Sequence, residues 1–444
     1  MPGGLHTDLY ELNMAASYLR RDMNAPATFS LYVRGLPKTR GFLVAAGLES
    51  CLDFLESFSF TDDELEALGT MDFDDRAIAD FSGLRFAGDV WAVPEGRIVY
   101  SEEPLLEVTA PVAVAQVVET MLLNQITLHT TLASKAARYV LAADGRQLVD
   151  FAFRRTHGVE AAMAIARASA LVGFAATSNV EAARRYGLVV AGTMAHSFVE
   201  AFPTEVEAFR AFAEDHPGRT TFLVDTYDTL AGVRAAIDTI RDLELGGDLG
   251  VRLDSGDLDA LARAARTILD EAGLDHARIF ASGGLDELEV HELVSAGAPV
   301  DAFGIGTQMG VSADAPYVDS VYKLVEYGGR PVMKLSSDKV SPPGRKQVWR
   351  SDGERGDLLA LRDEPGPDGA EPLLEPVMRG GKRSGGPISI EAARRRFEAD
   401  LAHVPQKARR LTHPERVTVT HSDALLALTD RTRAEAERRS GIAR

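Results

Sequence analysis

The chain has 444 residues, 48 of them basic and 66 acidic, for a formal net charge of −18, and 45% are hydrophobic. Single hydrophobic cores stop growing near about 250 to 300 residues, so the length predicts one large α/β domain with appendages. The acidic balance excludes the broad positive footprint that nucleic acid or an anionic membrane requires, and the single cysteine, Cys51, excludes an internal disulfide.

The opening Met-Pro-Gly-Gly-Leu-His lacks the basic and apolar segments of a secretory signal, and no apolar run approaches the roughly 20 residues of a membrane span. A cytoplasmic protein is expected. Residues 1–115 mix a polar start, a helix-like stretch at 41–56 and short β-rich pieces such as Trp91-Ala92-Val93 and Ile98-Val99-Tyr100, which predicts an α+β cap domain. A long helix begins near 116. Short apolar runs then fall near 148–153, 172–176, 188–192, 220–225, 249–253, 278–281 and 300–305, with helix-period segments between them. Repeated βα units with right-handed crossovers produce this rhythm, and seven candidate strands favour a closed or nearly closed parallel barrel over 116–317. Spacing alone leaves a doubly wound sheet open. From 318 a hairpin closes near Gly328-Gly329, and 318–444 is expected to return to the cap. Residues 351–385 read as exposed loop, and the last forty residues as charge-rich helix.

The chemistry sits at the ends of the apolar runs, where a parallel sheet frees backbone N–H groups on one rim. Gly250 to Asp257, Gly-Val-Arg-Leu-Asp-Ser-Gly-Asp, runs a strand into a turn carrying Arg252, Asp254, a serine and Asp257. Asp150-Phe151-Ala152-Phe153-Arg154-Arg155 places aromatic rings beside guanidiniums, which suit a flat heteroaromatic ring and a carboxylate or phosphate. Phe151 alone would more often be a core residue. Gly192-Thr193-Met194-Ala195-His196-Ser197 puts a histidine at a strand end, where it can be a base, a metal ligand, a phosphoryl acceptor or a satisfied structural group. His157 reads as a helix-start residue, and Thr177-Ser178-Asn179 as an N-cap.

Asp225 and Asp228, with Asp254 and Asp257, bring up to four acids to the rim, enough to hold Mg²⁺ through oxygen ligands. Asp228 has the position of a helix cap, so Asp225 and Asp254 are preferred. Ser282-Gly283-Gly284 and Gly304-Ile305-Gly306-Thr307 are glycine turns at the last two strands, the usual place for a monophosphate in a parallel barrel.

Read together with Thr7-Asp8-Leu9-Tyr10-Glu11-Leu12, Phe29 to Arg34 and Lys334 to Lys346, these motifs resemble nicotinate phosphoribosyltransferase, of the type II phosphoribosyltransferase group, over most of the chain and in order. The resemblance implies an irregular parallel α/β barrel with a smaller α+β domain built from both chain ends. It also implies a homodimer with shared active sites, which Asp8, Tyr10 and Arg34 would complete from the neighbouring subunit. In that family Phe151 and Tyr10 would sandwich the pyridine ring, Thr193 and Arg252 would lie near the substrate carboxylate, and Arg154 would border the pocket. Ser282, Gly283, Gly284, Gly306 and Thr307 would take the 5-phosphate.

His196 matches the histidine that ATP phosphorylates transiently, and Asp225 and Asp254 would hold Mg²⁺ directly or through its water. Ser178 stands where the nicotinamide enzymes carry an acid, which predicts the acid substrate. The implied reaction joins nicotinate to 5-phosphoribosyl 1-diphosphate with coupled ATP hydrolysis. A nicotinamide enzyme and a silent nucleotide sensor are the competing readings. A Schiff-base aldolase lacks a strand lysine, since Lys323, Lys334 and Lys339 all follow the seventh run.

Overall fold

A computed structural model describes residues 3–335, 341–351 and 356–440; Lys339 lies outside them. The chain divides into two compact units, Lys135–Pro316 and Met1–Ser134 with Tyr317–Arg444.

The 135–316 unit is built on six parallel strands. They are β1 (Gln147–Asp150), β2 (Ala176–Thr177), β3 (Arg219–Leu223), β4 (Asp248–Leu253), β5 (Arg278–Ala281) and β6 (Ala302–Ile305), in the spatial order β2-β1-β6-β5-β4-β3. Every neighbouring pair is parallel, with Val149 beside Ala176, Gly304 beside Val149, Phe280 beside Ala302, Val251 beside Ile279, and Phe222 beside Val251. The expected strand at 188–192 is a single parallel bridge from Val190 to Thr177, which extends the curled sheet beyond β2. The sheet is a curled parallel half-barrel, of the irregular parallel barrel class that the family resemblance implies, and the apolar rhythm anticipated its parallel βα units.

The strands are short and covered on both faces, so they read as runs of apolar residues without alternation. Phe222 and Phe303 are both fully buried, and truncating either to Ala would cost about 3–5 kcal/mol. The helix Leu258–Glu271 buries one stripe, with Ala262, Ala265 and Leu269 facing inward at helical spacing, whereas Val159–Leu171 is buried on most of its surface. Several helix starts are capped by the side chain of the preceding residue, though not Val159–Leu171, which follows Gly158. Asn179, Asp228 and Asp257 accept from the N–H groups of Ala182, Ala231 and Ala260, and Asp286 forms a capping box with Glu289.

The other unit centres on a seven-stranded antiparallel sheet. Pro26–Val33 lies in its middle between Ser320–Tyr327 and Pro104–Pro111, and the sheet continues through Asp89–Ala92 to Glu375–Arg379. Phe29 and Tyr322 stack across the central pair with ring centroids 4.6 Å apart. The hairpin expected at Gly328-Gly329 forms between Ser320–Tyr327 and Arg330–Pro331. Two local expectations are corrected. The 41–56 stretch is a short strand, Leu43–Val44, followed by the helix Leu48–Ser57.

Residues 351–385 are not an exposed loop, although 352–355 lie outside the described residues. They hold strands Leu358–Leu361, Glu371–Pro372, Glu375–Arg379 and Lys382–Arg383, with Leu359, Leu373 and Met378 fully buried. Their many Gly and Pro residues are turns between strands too short to show a periodicity. Gly380 and Gly381, both at positive φ, close the last hairpin. The chain end carries the helix Asp423–Arg439, preceded by the strand Thr420–His421, with Leu425 buried.

Candidate functional site

Because β1 to β6 are all parallel and in register, their carboxyl ends lie on one rim of the 135–316 unit. Arg252, the penultimate residue of β4, organises that rim. Its Nη2 lies 2.7 Å from Asp254 Oδ1, its Nε donates to Ser282 Oγ at 2.9 Å, and its Nη1 donates to Thr193 Oγ1 at 2.8 Å. Ser282 Oγ in turn donates to Asp254 Oδ1. One guanidinium thus joins the ends of β4 and β5 to the 192–197 loop, a planar fork used in three directions. Burial pushes the Asp254 carboxyl upward. The hydrogen bonds from Arg252 and Ser282 and the charges of Arg252 and His196 outweigh that and hold it below the usual carboxylate range.

His196 begins the one-turn helix His196–Glu200. Its Nδ1 is 3.2 Å from Thr226 Oγ1, and its Nε2 lies 3.9 Å from Asp254 Oδ2. The imidazole therefore stands between the ends of β3 and β4. Asp225 accepts from the Asp254 N–H at 2.9 Å and from Ser255 Oγ at 2.8 Å, both on Oδ2. Its Oδ1 is buried without a hydrogen-bond partner among the described residues. A buried oxygen acceptor in that state invites a cation or a donor.

Among the described residues no three His, Cys, Asp or Glu side chains form a self-sufficient metal cage. Two linked carboxylates, one with an unclaimed oxygen, fit the sparse protein share typical of Mg²⁺, which keeps waters and substrate phosphates as ligands. Asp228 and Asp257, counted among four rim acids, are helix N-caps, so their lone pairs are partly committed to backbone N–H groups.

The aromatic end of β1 lies on the same rim. Phe151, half-buried, has its ring centroid 5.7 Å from that of Phe280 and 5.6 Å from the Arg252 guanidinium carbon. Gly304 makes this possible, since a Cβ there would stand 2.7 Å from the Phe151 ring and 2.8 Å from the Phe280 ring. Asp150 does not face the rim. It is buried, accepting from Ala152 N–H at 2.8 Å and Thr177 Oγ1 at 2.7 Å, and it pins the turn that presents Phe151. Ser178 is half-buried at the end of β2, its N–H donating to the Asp150 carbonyl at 2.8 Å. Arg154 lies in the exposed turn Phe153–Arg155, outside the Arg252 network.

The glycine turns close the rim at β5 and β6. Gly283 has φ +111°, and a Cβ on it would fall 1.9 Å from the Asp254 carbonyl oxygen, so only glycine lets the two turns touch. Gly284 is also at positive φ, and Gly306 leads into Thr307, which opens the single turn Thr307–Gly310.

Asp8 and Tyr10 belong to the other unit, at the start of the helix Leu9–Arg20. Tyr10 is 48% exposed, and burial of its hydroxyl beside Glu119 and Glu11 raises its pKa. Burial also pushes Glu11 up to about 7. Arg34 lies 3.4 Å from Asp319 in that unit.

Several rim residues escape sequence reasoning. Phe280 reads as an ordinary strand residue, and Thr226 as part of an acidic turn. Glu205 carries no motif at all, yet its Oε1 is buried without a partner among the described residues, and burial next to Asp228 and Asp225 pushes it up to about 7.

Three family models match in order: the nicotinate phosphoribosyltransferase N-terminal domain over residues 5–127, the nicotinate phosphoribosyltransferase family over 146–348, and its C-terminal domain over 367–429. The chain belongs to the nicotinate phosphoribosyltransferase family. It is 50% identical over 386 residues to nicotinate phosphoribosyltransferase pncB2 of Mycobacterium tuberculosis, covering 86% of this chain and 83% of that protein. It is 42% identical over 378 residues to the nicotinate phosphoribosyltransferase of Bacillus subtilis, covering 81% and 76%. The crystal structure of human nicotinic acid phosphoribosyltransferase superposes with a TM-score of 0.86 at 29% identity, over 96% of this chain and 99% of that one. Among the described residues no helix is long and apolar enough to cross a membrane.

Proposed function

We propose that this member of the nicotinate phosphoribosyltransferase family joins nicotinate to 5-phosphoribosyl 1-diphosphate, giving nicotinate mononucleotide and diphosphate, and that ATP hydrolysis is coupled to the reaction through His196. The observation that carries the reading is the Arg252 hub, in which one guanidinium ties Thr193, Asp254 and Ser282 together beside His196 and the Phe151 ring.

In this reading the pyridine ring lies against Phe151, and Arg252 and Thr193 meet its carboxylate. Tyr10 and Asp8 complete the pocket from the second subunit of a homodimer. Ser178, uncharged, leaves room for an anionic substrate, whereas a carboxylate there would repel it. The Gly283-Gly284 and Gly306-Thr307 turns, with Ser282, receive the 5-phosphate through backbone N–H groups.

As the C1–O bond to diphosphate breaks, positive charge grows on C1 and the ring oxygen, and the pyridine nitrogen forms the new bond. Little proton transfer is required, so catalysis is positioning and electrostatics. Mg²⁺, held by Asp225 and Asp254 directly or through water, would neutralise charge on the diphosphate. Arg252 adds a fixed positive charge that its paired Asp254 keeps oriented. His196, steadied by Thr226 at Nδ1, is the proposed acceptor of the ATP γ-phosphoryl group. ADP would leave as the N–P bond forms, the phosphorylated side chain would rearrange donors near the departing diphosphate, and water would then cleave the N–P bond, releasing inorganic phosphate and restoring His196.

The deciding experiment is product analysis with nicotinate and 5-phosphoribosyl 1-diphosphate, with and without ATP. Nicotinate mononucleotide should form in both, faster and further with ATP. Absence of the mononucleotide in both would end the reading, and identical progress curves would remove the coupling. Nicotinate and nicotinamide competed in one tube separate the acid from the amide substrate.

A further inference from the structure

Lys135 is only 1% exposed, on the helical segment that opens the 135–316 unit, and its ammonium meets Glu287 Oε2 and lies 2.8 Å from Asp314 Oδ1. Arg138 Nε donates to the other Glu287 oxygen at 2.7 Å, and the Tyr139 hydroxyl donates to the Leu285 carbonyl at 3.1 Å. Glu287 stays ionised. Burial works against the charge, but Lys135 and Arg138 hold its pKa below the ordinary carboxylate range.

The two acids that Lys135 holds belong to the two glycine turns. Glu287 is the first residue of the helix that follows Gly283-Gly284-Leu285-Asp286. Asp314 ends a segment bonded link by link back to Gly306-Thr307. In it Gly310 N–H donates to the Gly306 carbonyl at 3.0 Å, Val311 to Thr307 at 3.2 Å, Ser312 to Met309 at 3.0 Å and Ala313 to Gln308 at 3.0 Å. Ser312 is strained at φ +45°, and its buried hydroxyl donates to the Ala315 carbonyl at 2.7 Å, which fixes the bend before Asp314's neighbours. Buried ion pairs are poor stabilisers, often matched or beaten by apolar side chains of similar volume, so fold stability alone is a weak reason to bury this charge.

We propose that Lys135 is a positioning residue: by pairing with Glu287 and Asp314 at once, it fixes the spacing between the two turns that grip the 5-phosphate of the phosphoribosyl substrate. This rests on the phosphoribosyltransferase reading above. A phosphate bound by N–H groups from both turns needs their separation held to a fraction of an ångström, and small misplacements remote from the chemistry are costly.

The test compares wild type with Lys135→Met and with Asp314→Asn, whose partly exposed side chain makes it the milder change. In each, KM is measured for 5-phosphoribosyl 1-diphosphate and for nicotinate separately, alongside the thermal midpoint. The expected result is a rise of about tenfold in KM for 5-phosphoribosyl 1-diphosphate, with KM for nicotinate held within about twofold and partial recovery in Lys135→Arg. Should Lys135→Met fail to fold, Asp314→Asn decides alone. A lowered thermal midpoint with both KM values unchanged makes the cluster purely structural and overturns the proposal, as does an equal rise in both KM values. If the wild type neither makes the mononucleotide nor binds 5-phosphoribosyl 1-diphosphate, the phosphoribosyl reading falls and this inference with it.

Discussion

Arg252 Nη2 lies 2.7 Å from Asp254 Oδ1, two residues further along the chain, while the rest of the guanidinium reaches Ser282 and Thr193 on separate segments. A lysine has the charge but not the fork, and cannot hold three partners in one plane. Arg252→Lys should therefore lower kcat/KM by about 100-fold or more with the fold intact. Steady-state kinetics beside far-ultraviolet circular dichroism checks this. A tenfold or smaller loss would mean that charge alone suffices.

Gly283 supports a sharper steric prediction. Its φ of +111° strains any L side chain, and a Cβ would collide with the Asp254 carbonyl oxygen at 1.9 Å. Gly283→Ala should cost about 1–3 kcal/mol in urea unfolding and raise KM for 5-phosphoribosyl 1-diphosphate. Gly284 is also at positive φ, but a Cβ added there would meet no atom of the described residues within 4 Å, so Gly284→Ala should lose less stability. Equal costs at the two sites would show that backbone strain, not the collision, dominates.

How far the site is readable in advance depends on the range of the forces that make it. Strands β3, β4 and β5 lie within two residues of their apolar runs because burial on both faces leaves a continuous local signature. The 188–192 run is equally apolar, but it forms one bridge at Val190, because tertiary pairing and not composition decides strand length. Arg252, Asp254 and His196 are visible as strand-end chemistry. Their bonding to one another and to Thr193 is not, since it joins residues as far apart in the chain as Thr193 and Arg252, 59 positions. Asp228 already has a cap's position in the sequence, and its hydrogen bond to Ala231 makes it one, whereas Asp257 looks like a functional acid until its hydrogen bond to Ala260 shows it to be a cap. Glu205 and Lys135 have no local signal at all, for their burial is made by residues distant in the chain.

His196 is the proposed phosphoryl acceptor, with Thr226 against Nδ1 at 3.2 Å. Incubation with γ-labelled ATP should place acid-labile label on wild type and none on His196→Ala. Thr226→Val removes the hydrogen bond that orients the ring and should slow labelling by about tenfold without abolishing it. Equal labelling of wild type and His196→Ala would refute the assignment.

Ring stacking makes a separate demand on Phe151, which sits 5.6 Å from the Arg252 guanidinium carbon and touches Phe280. Phe151→Leu keeps apolar volume but loses the flat face, so KM for nicotinate should rise about tenfold while KM for 5-phosphoribosyl 1-diphosphate changes little. An unchanged nicotinate KM would take Phe151 out of the ring pocket.

Glu205 yields a pH signature with a definite sign. Burial, with Asp228 and Asp225 nearby, pushes its carboxyl up to about 7 in the folded protein, so between the ordinary carboxylate range and pH 7 the native state binds a proton that the unfolded chain has released. Stability from this group is therefore complete at low pH and is lost as pH rises through that window, the reverse of a salt-bridged carboxylate. Glu205→Gln mimics the protonated form and should unfold at the same temperature as wild type near pH 4.5, but about 1–3 °C higher at pH 8. The gain is small because the group is partly solvated and screened. The scans are run without divalent cation, since a cation near Asp225 would stabilise the ionised carboxylate and shrink the difference. A midpoint gain that is constant from pH 4.5 to 8 would show that the substitution acts by packing, and that Glu205 ionises normally.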